Sequence, residues 1–273
     1  MIYTECKLCG GKTFEFLPQF ELLKCSQCGL IFYKHHLDSK EVKELYNKLY
    51  NEQDDYSTYR QQAVLLKSGR QPHLGYNKLK VLKTITGKKC RKIVEVGAGV
   101  GIVGNYLQKK HNEYTGIELD YEAAKHADEA GINVKNGTFE LLTSIENKDA
   151  VLAFEVIEHI DNLKHCLELM RNAISNKGYL GFTVPNFNMF YNQSTEQQQK
   201  RLGQVAPPVH INFFTNESLN KILPLFGFHP LYLKARPFPY LLWRKKSTYR
   251  KLWQSVKGEF EGSTLICIAQ KNA

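Results

Sequence analysis

The segment Val94-Glu95-Val96-Gly97-Ala98-Gly99-Val100-Gly101 constrains this chain more than any other stretch of it. It closes a short apolar strand, Lys92 to Val96, and opens onto a helix-like stretch, Ile102 to Lys109. About 20 residues past the first glycine, as nucleotide-binding α/β units require, a second apolar run ends in Gly116-Ile117-Glu118-Leu119-Asp120. A strand, a glycine turn, a helix and then an acidic strand end describe a nucleotide-type cofactor site. Glycines let the backbone approach the ligand, and the later carboxylate can accept both ribose hydroxyl protons.

A dinucleotide fingerprint needs Gly-x-Gly-x-x-Gly just after the strand. Counted from Gly97 the last position is Ile102, and the pattern fails. Counted from Gly99 it succeeds through Gly101 and Gly104, but two residues late. With Glu95 two residues before Gly97, the run reads acidic-x-Gly-x-Gly-x-Gly. That resembles the first motif of class I S-adenosylmethionine (SAM) methyltransferases. Phe154-Glu155-Val156-Ile157-Glu158-His159-Ile160-Asp161 resembles the E-V-x-E-H signature after the fourth strand in a broad set of these enzymes, the ubiquinone-biosynthesis O-methyltransferases among them. Thr183-Val184-Pro185-Asn186 ends the fifth strand in the same family's manner. Val209-His210-Ile211-Asn212-Phe213-Phe214-Thr215, with Ser218-Leu219 and Gly227-Phe228, is similar to that set's H-x-x-F-T-x-x-x-L … G-F segment.

The resemblance implies roles. Gly97, Gly99 and Gly101 would lie beside the methionine part of SAM, and Glu95 near its ammonium group. Glu118 would hold the ribose, with Asp120 its rival two residues on. Thr138 and Phe139 would meet the adenine edge, and Glu155 would join the cofactor-binding set. The likeness to ubiquinone-pathway enzymes also suggests magnesium or manganese on Glu155, Glu158 and His159, ligands suited to such ions. A hydroxyl acceptor needs a base, and histidine suits that near neutral pH. His159 and His210 are the candidates. Each has a structural alternative: His159 as a cap on its turn, His210 as a brace for the next helix.

Four of the seven cysteines are organised. Cys6-x-x-Cys9 and Cys25-x-x-Cys28 each run into glycine, Gly10 and Gly29, and their separation fits a zinc ribbon. Four thiolates make a closed, structural site. The ribbon followed by Gly29-Leu30-Ile31-Phe32 resembles a methyltransferase subgroup whose members modify sugars or other small metabolites. The subgroup's Pro-rich turn is replaced here by Lys34-His35-His36-Leu37-Asp38. Cys90, Cys166 and Cys267 read as buried bystanders.

The predicted organisation is a zinc ribbon over residues 1–36, a helical connector or lid over 37–88, and a methyltransferase domain over 89–273. Residues 39–50 read as a helix with an Asp38/Glu41 capping box, 51–62 as a polar lid over the cofactor or simply a connector, and 72–86 as a helix. Beyond them strand and helix alternate. The expected fold is therefore α/β, a doubly wound, Rossmann-like, mostly parallel sheet of seven strands preceded by the ribbon. Strands are expected at 92–96, 113–118, 132–135, 149–154, 179–184, 228–235 and 264–270.

The N-terminus lacks the basic and apolar regions of a signal peptide, and no apolar run is long enough for a membrane span. A cytoplasmic chain is expected. The net charge of +10 favours anionic partners. The expected acceptor atom is an oxygen, ahead of a nitrogen or carbon, on a small metabolite or sugar of a kind that could be phosphorylated or nucleotide-linked. The alternative is an RNA methyltransferase gripping phosphates with its basic surface and ribbon. A non-catalytic scaffold would have a degraded cofactor motif, and this one is intact. Residues 236–257 interleave Arg and Lys with Trp, Tyr and Phe, which fits a packed helix, a peripheral membrane contact or single-stranded nucleic acid.

Overall fold

A computed structural model describes residues 2–37, 55–191, 207–235, 253, 256–257 and 262–273. The predicted 39–50 helix, the Asp38/Glu41 box and nearly all of the basic-aromatic stretch lie outside the described residues.

The larger sheet is built on β4 (Lys92–Val96), flanked in parallel by β5 (Glu113–Glu118) and β7 (Lys148–Phe154). β6 (Val134–Asn136) extends it beyond β5. On the other side come β8 (Ile174–Pro185), then β11 (Thr264–Lys271) and β10 (Phe228–Ala235), with β11 antiparallel to both neighbours. The order is β10-β11-β8-β7-β4-β5-β6. This is the expected doubly wound sheet.

Residues alternate between its two faces, as strand geometry requires. In β7, Val151 and Ala153 face one buried cluster, while Ala150, Leu152 and Phe154 face the other. The second cluster is covered by α2 (Gly75–Gly87) and α3 (Ile102–Gln108), through Val81, Leu82, Ile85, Val103 and Leu107. The first is covered by α5 (Leu163–Ala173) and α7 (Asn216–Leu225). α4 (Tyr121–Glu129) follows β5 and is N-capped by Asp120, whose carboxylate accepts from Ala123 N–H at 2.7 Å. Thr215 caps α7 in a reciprocal box with Ser218.

Residues 51–62, expected to be either a loop over the cofactor or a connector, are helical from Asp55 on, in α1 (Asp55–Lys67). Nothing in that span breaks a helix, for it holds neither Gly nor Pro, and Ala63 and Leu66 are buried on its inner side. The short 3-10 turns and the single helical turn α6 (Asn188–Tyr191) complete the described elements.

The N-terminal unit holds β1 (Thr13–Leu17), β2 (Leu22–Cys25) and β3 (Ile31–Tyr33), an antiparallel meander. A fourth strand, β9 (Asn212–Phe213), pairs with β3 and comes from far along the chain. Leu8, Leu23, Leu30 and Phe32 share one buried cluster with Val94, Val151 and Phe214. So small a unit has little core of its own, and here it borrows that of the larger sheet.

Candidate active site and cysteine centre

At the carboxyl end of β4 the chain turns through Gly97, Gly99 and Gly101, all left-handed at φ +73°, +54° and +83°. A Cβ at Gly97 would overlap the Val156 side chain, so only glycine fits between the two turns. Gly99 N–H donates to Glu118 Oε2 at 2.7 Å, and Asp120 N–H donates to Oε1 at 2.9 Å. The two acidic rivals thus separate. Asp120 is spent on capping α4, and Glu118 faces the glycine loop.

Glu95 is buried under that loop, 1% exposed. Tyr114 Oη donates to it at 2.5 Å. Burial raises the Glu95 carboxyl to about 7, against the opposing charge of Lys78. Asn136 Nδ2 and Gly137 N–H both donate to Glu118 O. This sets Thr138 and Phe139 beside the end of β5. Thr138 Oγ1 starts a 3-10 turn by accepting from Glu140 N–H at 3.3 Å.

A second group forms after β7. Glu155 takes a left-handed φ of +56°, rare for a residue with a side chain and frequent at functional turns. Solvent reaches its side chain, yet enclosing protein pushes its pKa up. Glu158, three residues on, is 1% exposed, and neither carboxylate oxygen has a hydrogen-bond partner. Burial, and then the charge of Glu155, push its pKa well above the usual range.

His159 Nδ1 lies 2.7 Å from Val209 O. A carbonyl only accepts, so Nδ1 carries the proton and the lone pair is on Nε2. The His210 ring stands edge-on to it, centroids 4.6 Å apart. Burial lowers both imidazoles, that of His210 to about 3, with His159 adding to the effect. Both are neutral near pH 7. Donor atoms of Glu158, His159 and His210 fall within 4.8 Å of one another. The converging triad shares Glu158 and His159 with the ligand set that the resemblance implies, and adds His210.

The two histidine segments are stitched together. Ile211 N–H donates to Glu158 O at 2.9 Å. Asn212 Nδ2 donates to Ile157 O at 2.8 Å and Ile160 O at 2.7 Å. Sequence reasoning missed Tyr114, Lys78 and Asn212, since none sits in a spaced pattern that could mark it.

The four predicted cysteines converge. Cys6 Sγ lies 3.7 Å from Cys28 Sγ, and Cys9 Sγ 3.5 Å from Cys25 Sγ, with all four sulfurs within 4.8 Å. A tetrahedron with zinc–sulfur bonds of about 2.3 Å has edges of about 3.8 Å, so the residues fit such an ion. His35 pairs with Glu21 and His36 with Asp161, away from the sulfurs.

A family model described as a methyltransferase domain matches residues 50–233. The chain belongs to that family. The chain is 30% identical over 127 residues to the ubiquinone biosynthesis O-methyltransferase of Azorhizobium caulinodans, covering 42% of this chain and 49% of that protein. To the enzyme of that name from Actinobacillus pleuropneumoniae it is 24% identical over 108 residues, covering 35% and 46%. It thus spans about half the length of these relatives.

Among solved structures, the plantazolicin methyltransferase BpumL in complex with SAH superposes with a TM-score of 0.54 at 15% identity, over 86% of this chain and 98% of that one. A SAM-dependent methyltransferase from Archaeoglobus fulgidus gives 0.52 at 18%, over 84% and 99%. These likenesses establish the fold, the Rossmann-like methyltransferase sheet. Among the described residues no helix is long and apolar enough to cross a membrane.

Proposed function

We propose that this methyltransferase takes its methyl group from SAM and transfers it to an oxygen of a small metabolite or sugar. The observation that carries the reading is the bond from Gly99 N–H to Glu118. It joins the glycine loop to a carboxylate at the neighbouring strand end, the cradle a nucleoside needs at the carboxyl edge of such a sheet. SAM supplies a sulfonium methyl for in-line displacement, and the protein mainly aligns the acceptor.

In this reading Gly97, Gly99 and Gly101 let the backbone approach the methionine part. Glu95 faces the ammonium, Glu118 accepts from the ribose hydroxyls, and Thr138 and Phe139 border the adenine. Glu155 stands at the mouth between cofactor and acceptor. His159 is the better base of the two histidines. Its Nδ1–H is anchored on Val209 O and its neutral Nε2 can accept the acceptor's hydroxyl proton. His210, lowered to about 3, is the weaker base and serves to orient. The four-cysteine centre holds a structural zinc, consistent with the sulfur spacing.

A rival to the base role of His159 is a divalent cation, magnesium or manganese, which Glu158, His159 Nε2 and His210 would hold. Glu158 supports it, because a buried carboxylate without hydrogen bonds is costly unless a cation meets it. Unchanged turnover after EDTA treatment that leaves the zinc bound would remove this cation.

The test of the acceptor class is methyl-labelled SAM with the purified protein and a fractionated cell extract. Label in small molecules, indifferent to nuclease, is expected. Label in nuclease-sensitive polymer would replace this acceptor with RNA, gripped through the +10 surface. No label anywhere, with no SAM binding by titration, would overturn the reaction itself.

A further inference from the structure

A buried charged contact that the proposed reaction does not use links the cysteine unit to the histidine turn. Lys7 stands between Cys6 and Leu8 in the first knuckle, and its side chain is only 3% exposed. Its Nζ lies 3.4 Å from Asp161 Oδ1, and 5.5 and 5.7 Å from the ring centres of Tyr3 and Phe32. Tyr3 Oη donates to both Asp161 oxygens, at 3.1 and 3.2 Å. His36 lies against the Tyr3 ring, with Nδ1 3.4 Å from Asp161 Oδ2. Tyr3, Lys7 and His36 all come from the N-terminal unit, whereas Asp161 is two residues past His159.

A buried ion pair is a poor source of net stability, because desolvation cancels much of its attraction. Its best-attested use is to fix one arrangement among several, since any other leaves a charge buried alone. The second histidine segment is tied to the same unit by backbone. β3 pairs with β9 through Ile31↔Phe213 and Phe32↔Asn212, and Tyr33 N–H donates to Ile211 O at 3.0 Å.

We propose that the Lys7–Asp161 pair is a positioning device, through which the cysteine unit sets the orientation of His159 against His210. One histidine segment is held by charge and the other by strand pairing, and both anchors belong to the same small unit. The functional meaning of this tie rests on the two histidines serving methyl transfer, but the tie itself does not.

The test uses the full, zinc-loaded chain with K7M, K7R and D161N. The readout is the nitrogen resonances of the His159 ring, which report where its proton sits, alongside zinc content and affinity for S-adenosylhomocysteine. In the wild type His159 should hold its proton on Nδ1. In K7M and D161N the resonances should move toward an average of the two tautomers and those of His210 should shift, with zinc and S-adenosylhomocysteine still bound as in the wild type. K7R should restore the wild-type pattern. Wild-type histidine resonances in K7M and D161N, with only a lowered melting temperature, would overturn the proposal and leave the pair a mere structural contact. If K7M fails to fold, D161N decides, since it keeps an acceptor for Tyr3. If the wild type does not bind S-adenosylhomocysteine, the methyltransferase reading fails, and the resonance comparison still settles the positioning role.

Discussion

Replacing Gly97 with alanine strikes the glycine loop at its tightest point. Gly97 sits at φ +73°, where an L side chain costs about 1–2 kcal/mol. Its new Cβ would also overlap the Cγ2 methyl of Val156, and overpacking of that kind costs about 1–3 kcal/mol. G97A should therefore lose roughly 2–5 kcal/mol of stability. Val156 has little freedom to retreat, because Glu155 before it is itself left-handed and Ile157 after it is buried. The two parts of the cost can be separated. V156A removes the offending methyl, so in its background G97A should retain only the backbone part, about 1–2 kcal/mol. Urea denaturation of the four proteins of this cycle, followed by circular dichroism, measures both parts. Titration with S-adenosylhomocysteine should show weakened binding in G97A and partial recovery in the double variant. A G97A protein within about 0.5 kcal/mol of wild type, or strict additivity with V156A, would refute the close approach of the two turns.

Glu118 and Asp120 should part company on substitution. E118A should weaken S-adenosylhomocysteine about tenfold or more, the loss of charge-assisted hydrogen bonds, whereas D120A should lower stability by about 1 kcal/mol through its cap and leave affinity unchanged in calorimetry. Glu95 gives a pH signature. Its folded-state pKa of about 7 exceeds the ordinary 4.5, so the folded chain keeps a proton that the unfolded chain releases between those values. That stabilisation, on the order of 3 kcal/mol, is full below the unfolded value and lost as pH rises through the folded one. Urea midpoints at about pH 5 and about pH 8 should differ less in E95Q than in wild type, and an equal difference would rule the carboxyl out as the source. Affinity for SAM should run the other way, rising with pH, because the ammonium prefers the carboxylate. Metal analysis should find one zinc per chain, and C25S should lose it together with the fold of the N-terminal unit; a folded, metal-free C25S protein would make the four thiols dispensable.

What the sequence made legible is what it encodes locally. The glycine run between a strand and a helix, the two Cys-x-x-Cys knuckles, the Thr215 cap and the strand boundaries around β4, β5 and β10 each depend on a few adjacent residues. The structure has them where the residues put them. α1 is less legible, since residues 51–62 read only as a polar lid or a connector. Its apolar positions are few, and its helical character rests on the absence of breakers and on Ala63 and Leu66 finding cover. The preference for Glu118 over Asp120 comes from the family resemblance and not from a local signal. Both carboxylates suit a ribose, and what divides them is that one caps the following helix while the other bonds to a loop 19 residues back.

The histidine pair marks the deeper limit. Nothing near His159 in the sequence points to His210, 51 positions later by the numbering. They meet because Asn212 bonds to two carbonyls of the His159 turn, and because a two-residue strand adds itself to the sheet of the N-terminal unit. So short a strand has no periodicity to detect, and its pairing is stable only where a neighbouring edge is already fixed. That edge is β3, which follows directly on the second cysteine knuckle. A centre with the residue types of a purely structural metal site thus lies next in line to the side chains that would do chemistry. Loss of metal from the cysteines should therefore disorder the histidine pair before it disturbs the glycine loop, whose backbone hydrogen bonds among the described residues run to β5 and α3.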